Sequence, residues 1–418
     1  MIREAGYGPK LVREFNELNI LRFIKNDGPI SRAELAKRYK LSKAAVSEII
    51  SNLLELGYIH EIGMGNSTRL GGRKPILLEF NPKSGFAVGI EIKRDHARVA
   101  LSDLNAKIHN IDYFSFKPGS PLKDIVQQTY SYIDKFLKIK WVQKARPIGI
   151  GIAIPGLVNY QNGKIQESDT LKNWVGFPLK KSFETRFNIE TIVENDVKAI
   201  SLGEFHFGAG KSAKDMVYLW VGDGVGAGII IHGELLRGVS ASAGEVGYYD
   251  VGFLIREKGL CHLLYDGHKN FGDILSEKVL LAGAKRGLKG DFSGQLDERK
   301  LSVEYILEEA HNDNPLSLEL VKEYGFLVGV ICTNLINTLN PELVVIGGQP
   351  IAHDPLLLKI IKEQIKQDIL RTPSRIVKVK KAKLREDAAI IGAVALVLED
   401  LFYNQRLNIS KYREVFRN

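Results

Sequence analysis

The strongest constraint on the fold is a change of hydrophobic period near residue 80. Before it, apolar residues recur at helical spacing. From Gly85 onward they run in strand-sized blocks alternating with amphipathic segments. Such a chain must build two unlike modules, a small mainly helical head and a larger α/β body. At 418 residues it has room for two or three domains. The expected boundaries are 1–80 for the head, 81–200 for a first α/β lobe and 201–418 for a second. A closing helix near 388–402 can return to the first lobe.

Three helices are expected in the head. The first runs from about Lys10 to Asn26, with Val12, Phe15, Leu18, Leu21 and Ile24 on one face, and Asp27-Gly28-Pro29 stops it. Ser31-Arg32-Ala33-Glu34 has the form of a capping box and opens a short second helix through Tyr39. Ser42 caps a third helix to Leu56, ended by Gly57. The third helix puts Val46, Ile49, Ile50, Leu53 and Leu54 on a core face. Ser42, Lys43, Ala44, Ser47, Glu48 and Ser51 fall on the other. Small polar residues near a helix N-terminus suit entry into a major groove, where hydroxyls and an ammonium meet base edges and phosphates. An ordinary three-helix bundle with a polar face is the plainer reading, but the short second helix, tight turn and long third helix favour helix-turn-helix.

Tyr58–Ile62 and Pro75–Phe80 read as two strands flanking a basic, glycine-rich loop, which makes the head a winged helix-turn-helix. Within the loop, Gly71 and Gly72 would let Arg73 and Lys74 approach a duplex, with Arg69 upstream; a mobile linker would use the same residues. Ser31, Arg32, Ser42, Lys43, Ala44, Ser47, Arg69, Gly71, Gly72, Arg73 and Lys74 form the expected DNA-binding set. Residues 1–80 carry 13 Lys+Arg against 9 Asp+Glu, a net of +4, and the other 338 residues a net of +5. A basic head on a near-neutral body suits an acidic polymer.

No apolar run reaches the ~18 residues of a membrane span, and MIREAGYGPK has no signal-peptide core, so a cytoplasmic protein is expected. The only cysteines, Cys261 and Cys332, exclude a disulfide framework and a four-cysteine zinc site.

In the body, Val88–Leu104 reads as strand, turn, strand. The turn Lys93-Arg94-Asp95-His96 lacks the glycines that bring backbone N–H groups up to phosphate. A helix follows over Pro121–Leu137, then a buried strand ending in Pro155-Gly156, and a strand at 192–194 leading into a helix through Asn195-Asp196. Met216–Val221 and Ile229–His232 flank a second, glycine-rich turn; a long helix, Leu318–Leu339, and a strand ending in Gly347-Gly348 complete the pattern.

This ordered set resembles the ROK family (repressors, open reading frames and kinases), in its xylose-repressor-like branch. The matching pieces are GGRKP at 71–75, GIAIPGLVN at 151–159, NW at 173–174, END at 194–196, GDGVGAGI at 222–229, GEVGY at 244–248, LVVIGG at 343–348 and AAIIGAVAL at 388–396. The resemblance implies a two-lobed actin/hexokinase-like (ribonuclease H-like) body with a sugar in the cleft, usually as homodimer or homotetramer. Asp196 matches the carboxylate that contacts sugar hydroxyls and serves as base in the kinases; as a sequence feature it could equally be a helix cap. Glu245 matches the glutamate that grips sugar. Asn173, Asn195 and Tyr248 are further sugar-binding candidates, although the asparagines also suit turns.

The departures are also informative. Where kinases of the family carry a turn resembling GIDIGGTK, this chain has Gly89-Ile90-Glu91-Ile92-Lys93-Arg94-Asp95-His96. Tyr248 stands where histidine is frequent, and of the family's zinc-binding cysteines only Cys261 remains, beside His262. The expectation is a sugar-responsive transcriptional repressor that binds operator DNA and senses a monosaccharide effector such as xylose. It is expected to be no enzyme, with Asp196 a vestigial base, no cofactor and no metal. The alternative is an active ATP-dependent sugar kinase with a DNA-binding head.

Overall fold

The computed structural model describes residues 9–64, 74–222, 224–251, 261–348 and 354–403. The head consists of α1 (Pro9–Asp27), β1 (Ile30–Ser31), α2 (Arg32–Tyr39), α3 (Lys43–Glu55), β2 (Ile59–Met64) and β3 (Ile76–Phe80), with sheet order β1-β3-β2. Helix α2 starts at the expected capping box: Ser31 Oγ accepts from the Glu34 amide at 3.3 Å, and the Ser31 amide donates to Glu34 Oε2 at 3.0 Å. Ser42 caps α3 by accepting from the Ala45 amide at 3.1 Å. Val46, Ile49, Ile50 and Leu53 are buried as their helical spacing requires, and Leu54 is half-buried.

Helix α1 buries Leu18, Leu21 and Ile24 of its expected face but departs from it in its first turns. Val12 and Phe15 are 47% and 45% exposed, whereas Glu14 and Glu17 are buried. The helix turns its acids inward because Glu17 Oε1 accepts from the Asn52 side chain on α3, a bond between helices that periodicity alone does not reveal.

The body opens with β4 (Gly85–Ile92), β5 (His96–Asp103) and β6 (Ile108–Ser115), then α4 (Leu122–Leu137), β7 (Arg146–Ile154), the β8–β9 hairpin (Leu157–Asn159 and Lys164–Glu167), α5 (Leu179–Phe187) and β10 (Thr191–Asn195). These strands form a sheet of order β10-β7-β4-β5-β6, apart from the separate β8–β9 pair. Strand β4 is buried along its whole length and pairs with β5 in the register Val88↔Leu101 and Ile90↔Val99. The turn is therefore Lys93–Asp95, closed by the Lys93 amide donating to the His96 carbonyl at 2.9 Å. Buried Glu91 faces Arg98 across the pair at 3.3 Å. Asp103 is used structurally: it accepts from the amides of Asn105 and Lys107 and lies 2.7 Å from His109 Nε2.

After α6 (Asp196–Phe207) comes a second sheet, from β11 (Met216–Val221), β12 (Val225–Ile231), β13 (Glu234–Leu235), β14 (Leu343–Gly348) and β15 (Lys378–Lys381), in the order β13-β12-β11-β14-β15. Strands β11 and β14 are parallel, so the Val221 and Gly348 ends meet. Helices α7 (Glu277–Lys289), α8 (Val303–His311), α9 (Pro315–Leu339) and α10 (Pro355–Asp368) contribute to its core, and α11 (Ala388–Leu398) follows β15.

Two compact units result. One takes in the chain up to Ile152, Leu179–Ile192 and the segment from Leu396. The other is Ala153–Pro178 with Val193–Ala395. The divisions cut β7, β10 and α11.

In the first unit, the segment after α11 packs on the head. Arg22 Nε donates to the Leu401 carbonyl at 2.6 Å, and the Phe402 and Phe80 rings meet edge to face with centroids 5.8 Å apart. Replacing buried Phe402 with alanine should cost about 3 kcal/mol of stability. Urea unfolding of the full chain measures it, and a loss below about 0.5 kcal/mol would show that this contact is not a source of stability.

Candidate functional site

The five expected sugar-binding residues all fall in the second unit. Strand β10 ends on Asn195, and α6 begins with Asp196. The N-cap is Asn195, whose Oδ1 accepts from the Lys198 amide at 3.1 Å and whose Nδ2 donates to the Gly156 carbonyl at 3.0 Å. Asparagine thus does the capping left open for Asp196, and it ties the helix to the Pro155-Gly156 turn. Asp196 occupies the first helical position. Its Oδ1 accepts from the Val197 amide at 2.9 Å and from Asn195 Nδ2 at 3.3 Å. A carboxylate there is favoured by the helix dipole.

Two charged pairs, neither expected from the sequence, hold this end of the helix. Buried Glu194 accepts from Arg237 Nε at 2.7 Å and from the Asn195 amide at 3.0 Å. The Lys198 side chain is only 2% exposed, and its Nζ lies 3.7 Å from Glu245 Oε1. A lysine two positions beyond Asp196, in the mostly apolar Val197–Leu202 run, was the signal that sequence reasoning passed over.

Glu245 stands on a loop pressed against β12. Gly244 adopts φ +88°, and a Cβ there would come within 1.8 Å of the Ala227 carbonyl oxygen; the Ala227 amide donates to the Gly244 carbonyl at 2.7 Å. At Gly247 a Cβ would lie 2.4 Å from the Val225 oxygen. Both glycines are required by close backbone approach. Burial lifts the Glu245 carboxyl above its ordinary range; Lys198 opposes the shift and Asp196 adds to it.

The pH dependence of any sugar bound by Glu245 follows from this shift. Only the ionised carboxylate accepts on both oxygens. Because its pKa is raised, protonation begins at a higher pH than for an exposed glutamate. Affinity should therefore fall on acidification from neutral pH, and Glu245→Gln should flatten that fall. Sugar titrations across pH check both, and an unchanged slope in Glu245→Gln would remove Glu245 from the binding set.

Tyr248 is 72% exposed, and Asn173 is exposed beside the fully buried Trp174. Burial, then Asp169 and Glu245, raise the pKa of the Tyr248 hydroxyl, which places it within the electrostatic reach of Glu245.

In the head, Ser42, Lys43 and Ala44 are exposed and Ser47 is half-buried at the start of α3. Lys74 is exposed too. Ser31 is a correction: it is buried, its hydroxyl taken up by Glu34, and so offers no groove-facing group. Arg32 is half-buried, with Nη2 3.1 Å from Glu61 Oε1. Arg69, Gly71, Gly72 and Arg73 lie outside the described residues.

The family's cysteine-rich zinc set does not fit this chain. Of its cysteines only Cys261 is present; burial raises the Cys261 thiol, with Glu323 and Glu319 adding, and pushes Cys332 up to about 12. A different group stands beside Cys261: ligand atoms of His262, Glu319 and Glu323 lie within 4.8 Å of one another, a set able to hold a divalent cation. Glu323 also accepts from the amides of Leu263 and Leu264, at 3.1 and 2.8 Å.

These elements define a winged helix-turn-helix fused to an α/β body of the sugar-kinase type. Comparison with known proteins gives the family. A ROK family model matches residues 87–400, and a winged helix-turn-helix DNA-binding model matches 16–60. The chain belongs to the ROK family. It is 30% identical over 396 residues to the xylose repressor of Caldicellulosiruptor bescii, covering 94% of this chain and 97% of that one. It is 29% identical over 397 residues to the N-acetylglucosamine repressor of Escherichia coli O6:H1, covering 93% of each. Among solved structures, a ROK family transcriptional regulator homologous to the E. coli MLC protein matches with TM-score 0.79 at 23% identity, covering 98% of this chain and all of that one. The ROK hexokinase of Thermus thermophilus matches with TM-score 0.60 at 19% identity, covering 75% of this chain and 97% of that one.

The expectation that the chain is no enzyme does not stand. Its body has the fold of solved sugar kinases, the hexokinase among them, and it carries the metal-ligand-like triad at His262, Glu319 and Glu323. A turn without glycines at 93–95 is one local departure within that fold and does not by itself remove catalysis. Among the described residues, no helix is long and apolar enough to cross a membrane.

Proposed function

We propose that this protein is a DNA-binding regulator whose ROK body binds a monosaccharide. One observation carries the reading. The same chain bears a winged helix with Ser42, Lys43 and Ala44 exposed at the start of α3, and a body whose Asp196 and Glu245 carboxylates are held at one helix end by Asn195 and Lys198. Its relatives named as repressors span nearly the whole chain and support the reading. Those names give two different sugars, so xylose and N-acetylglucosamine both belong in the first panel. In a homodimer, two α3 helices would enter successive major grooves of an operator. A sugar that binds two states of the protein unequally shifts its affinity for DNA.

The test is fluorescence anisotropy of a promoter-region duplex with the full chain, with and without each sugar. Affinity should fall about 10³-fold between roughly 50 and 200 mM salt, as counterion release requires for a handful of phosphate contacts. Lys43→Ala should weaken binding and lower the salt slope by about 1. A protein that ignores the duplex at every sugar concentration would defeat the proposal.

A second reading has its own observation: Asp196 is not the helix cap, so its carboxylate is placed to accept a proton from a sugar hydroxyl. Together with the kinase fold, this supports an ATP-dependent sugar kinase with a DNA-binding head. Coupled ADP release over pentoses and hexoses tests it. Sugar-dependent turnover lost in Asp196→Asn establishes this reading, and no turnover with any sugar of the panel sets it aside.

A further inference from the structure

The second unit holds a basic cavity that neither the sugar site nor the DNA-binding head uses. It has a volume of about 570 Å³ and is lined by Lys362 of α10, Lys380 and Lys381 of β15, and Lys383 and Arg385 of the segment that follows, over a floor at Gly208-Ala209. The volume is that of a small-molecule site. Five cations line it, and no carboxylate does. Some surface cations elsewhere pair with acids, as Arg286 does with Asp266 at 3.2 Å and Arg186 with Asp134 at 2.7 Å. None of the five lining cations has such a partner among the described residues.

Lysines on an edge strand such as β15 can serve simply to block strand pairing. That explains Lys380 and Lys381 but not the other two walls. Lys362 comes from a helix, and Arg385 is held with a left-handed φ of +48°. The walls are also fixed from beneath. Fully buried Glu204 accepts from the amides of Lys383 and Leu384, at 2.8 and 2.7 Å, and from that of Ala209 at 2.7 Å. At Gly208 a Cβ would come within 2.0 Å of Glu204 Oε2. One buried carboxylate thus joins the backbone at Ala209 to the segment that carries Lys383 and Arg385. Five like charges around one cavity repel each other, and an anion relieves that repulsion.

We propose that this cavity binds a small anion bearing several phosphate groups, held by Lys362, Lys380, Lys381, Lys383 and Arg385. Arginine supplies a planar donor pair for one phosphate, and the lysines act as point charges. The inference is independent of the sugar site.

Calorimetric titration of the full chain with inorganic triphosphate tests it, with a sugar bisphosphate as a second arm to distinguish an inorganic from an ester ligand. One equivalent should bind, more weakly as salt rises. Lys383→Ala/Arg385→Ala should weaken binding at least about 10-fold, because each replaces a charge-assisted phosphate contact. Lys362→Ala, on a separate helix, should weaken it independently. Neither substitution touches the core, so both variants should fold. Tighter binding of the sugar bisphosphate supports the proposal and identifies the ester as the ligand. The proposal is overturned if neither anion binds, if both variants bind as the parent does, or if a duplex DNA occupies the cavity and the small anions cannot displace it.

Discussion

Gly244→Ala should abolish sugar binding by the body, lowering affinity by about 100-fold or more. Two effects combine. At φ +88° an alanine pays the left-handed penalty of about 1–2 kcal/mol. Its Cβ would also lie 1.8 Å from the Ala227 carbonyl oxygen, far inside van der Waals contact. The loop must lift from β12, which breaks the 2.7 Å bond from the Ala227 amide and moves Glu245 away from Lys198. The control is Gly238→Ala. Its φ is +74°, but its Cβ would meet only Ala243, no nearer than 3.4 Å, so it should cost about 1 kcal/mol and leave sugar affinity near normal. Sugar-induced shifts in melting temperature separate the two. Equal behaviour of both variants would mean that the contact with β12 does not set the position of Glu245.

The second large effect belongs to Asp196→Asn. Asparagine can keep the acceptor facing the Val197 amide, so the helix start should survive. What it loses is charge. Hydrogen bonds to a charged group contribute about 1.5–3 kcal/mol each, so the loss of one such sugar contact lowers affinity roughly 10- to 100-fold. The folded head should still bind DNA, but no longer in a sugar-dependent way. Calorimetric sugar titration and DNA anisotropy on the same preparation test both halves. A variant that binds sugar like the parent would take Asp196 out of the site. A variant that loses DNA binding as well would show instead that the substitution damaged the fold.

Much of the architecture was legible in the residues because it rests on local rules. Ser31 and Glu34 announce the start of α2, and Ser42 that of α3. The alternation from Val88 to Leu101 gave the β4–β5 hairpin, since period 2 marks a strand; its register, Val88↔Leu101 and Ile90↔Val99, came from the structure. Strand β6 and the β8–β9 hairpin were missed. Both are short on apolar signal: β6 is mostly exposed or half-buried, and β8 spans only Leu157–Asn159. On α1, periodicity put Val12 and Phe15 inside, but the helix orients itself by what Glu17 meets on α3.

The candidate site divides in the same way. The sequence by itself determined the two modules, the residue types at Asn195, Asp196 and Glu245, and the glycines at 244 and 247, because spacing and local backbone demands are written along the chain. Only the tertiary structure decided that Asn195 is the cap and Asp196 is not, that Lys198 is buried against Glu245, and that Ser31 is withdrawn from the surface. It also gathered Lys362 with the lysines of β15. Each of these depends on which distant segment supplies the neighbour: Gly156 for Asn195, 39 positions away, and Arg237 for Glu194, 43 positions away. Periodicity and capping act within a few residues. Charge pairing and burial act through space, and only the packed chain sets those distances.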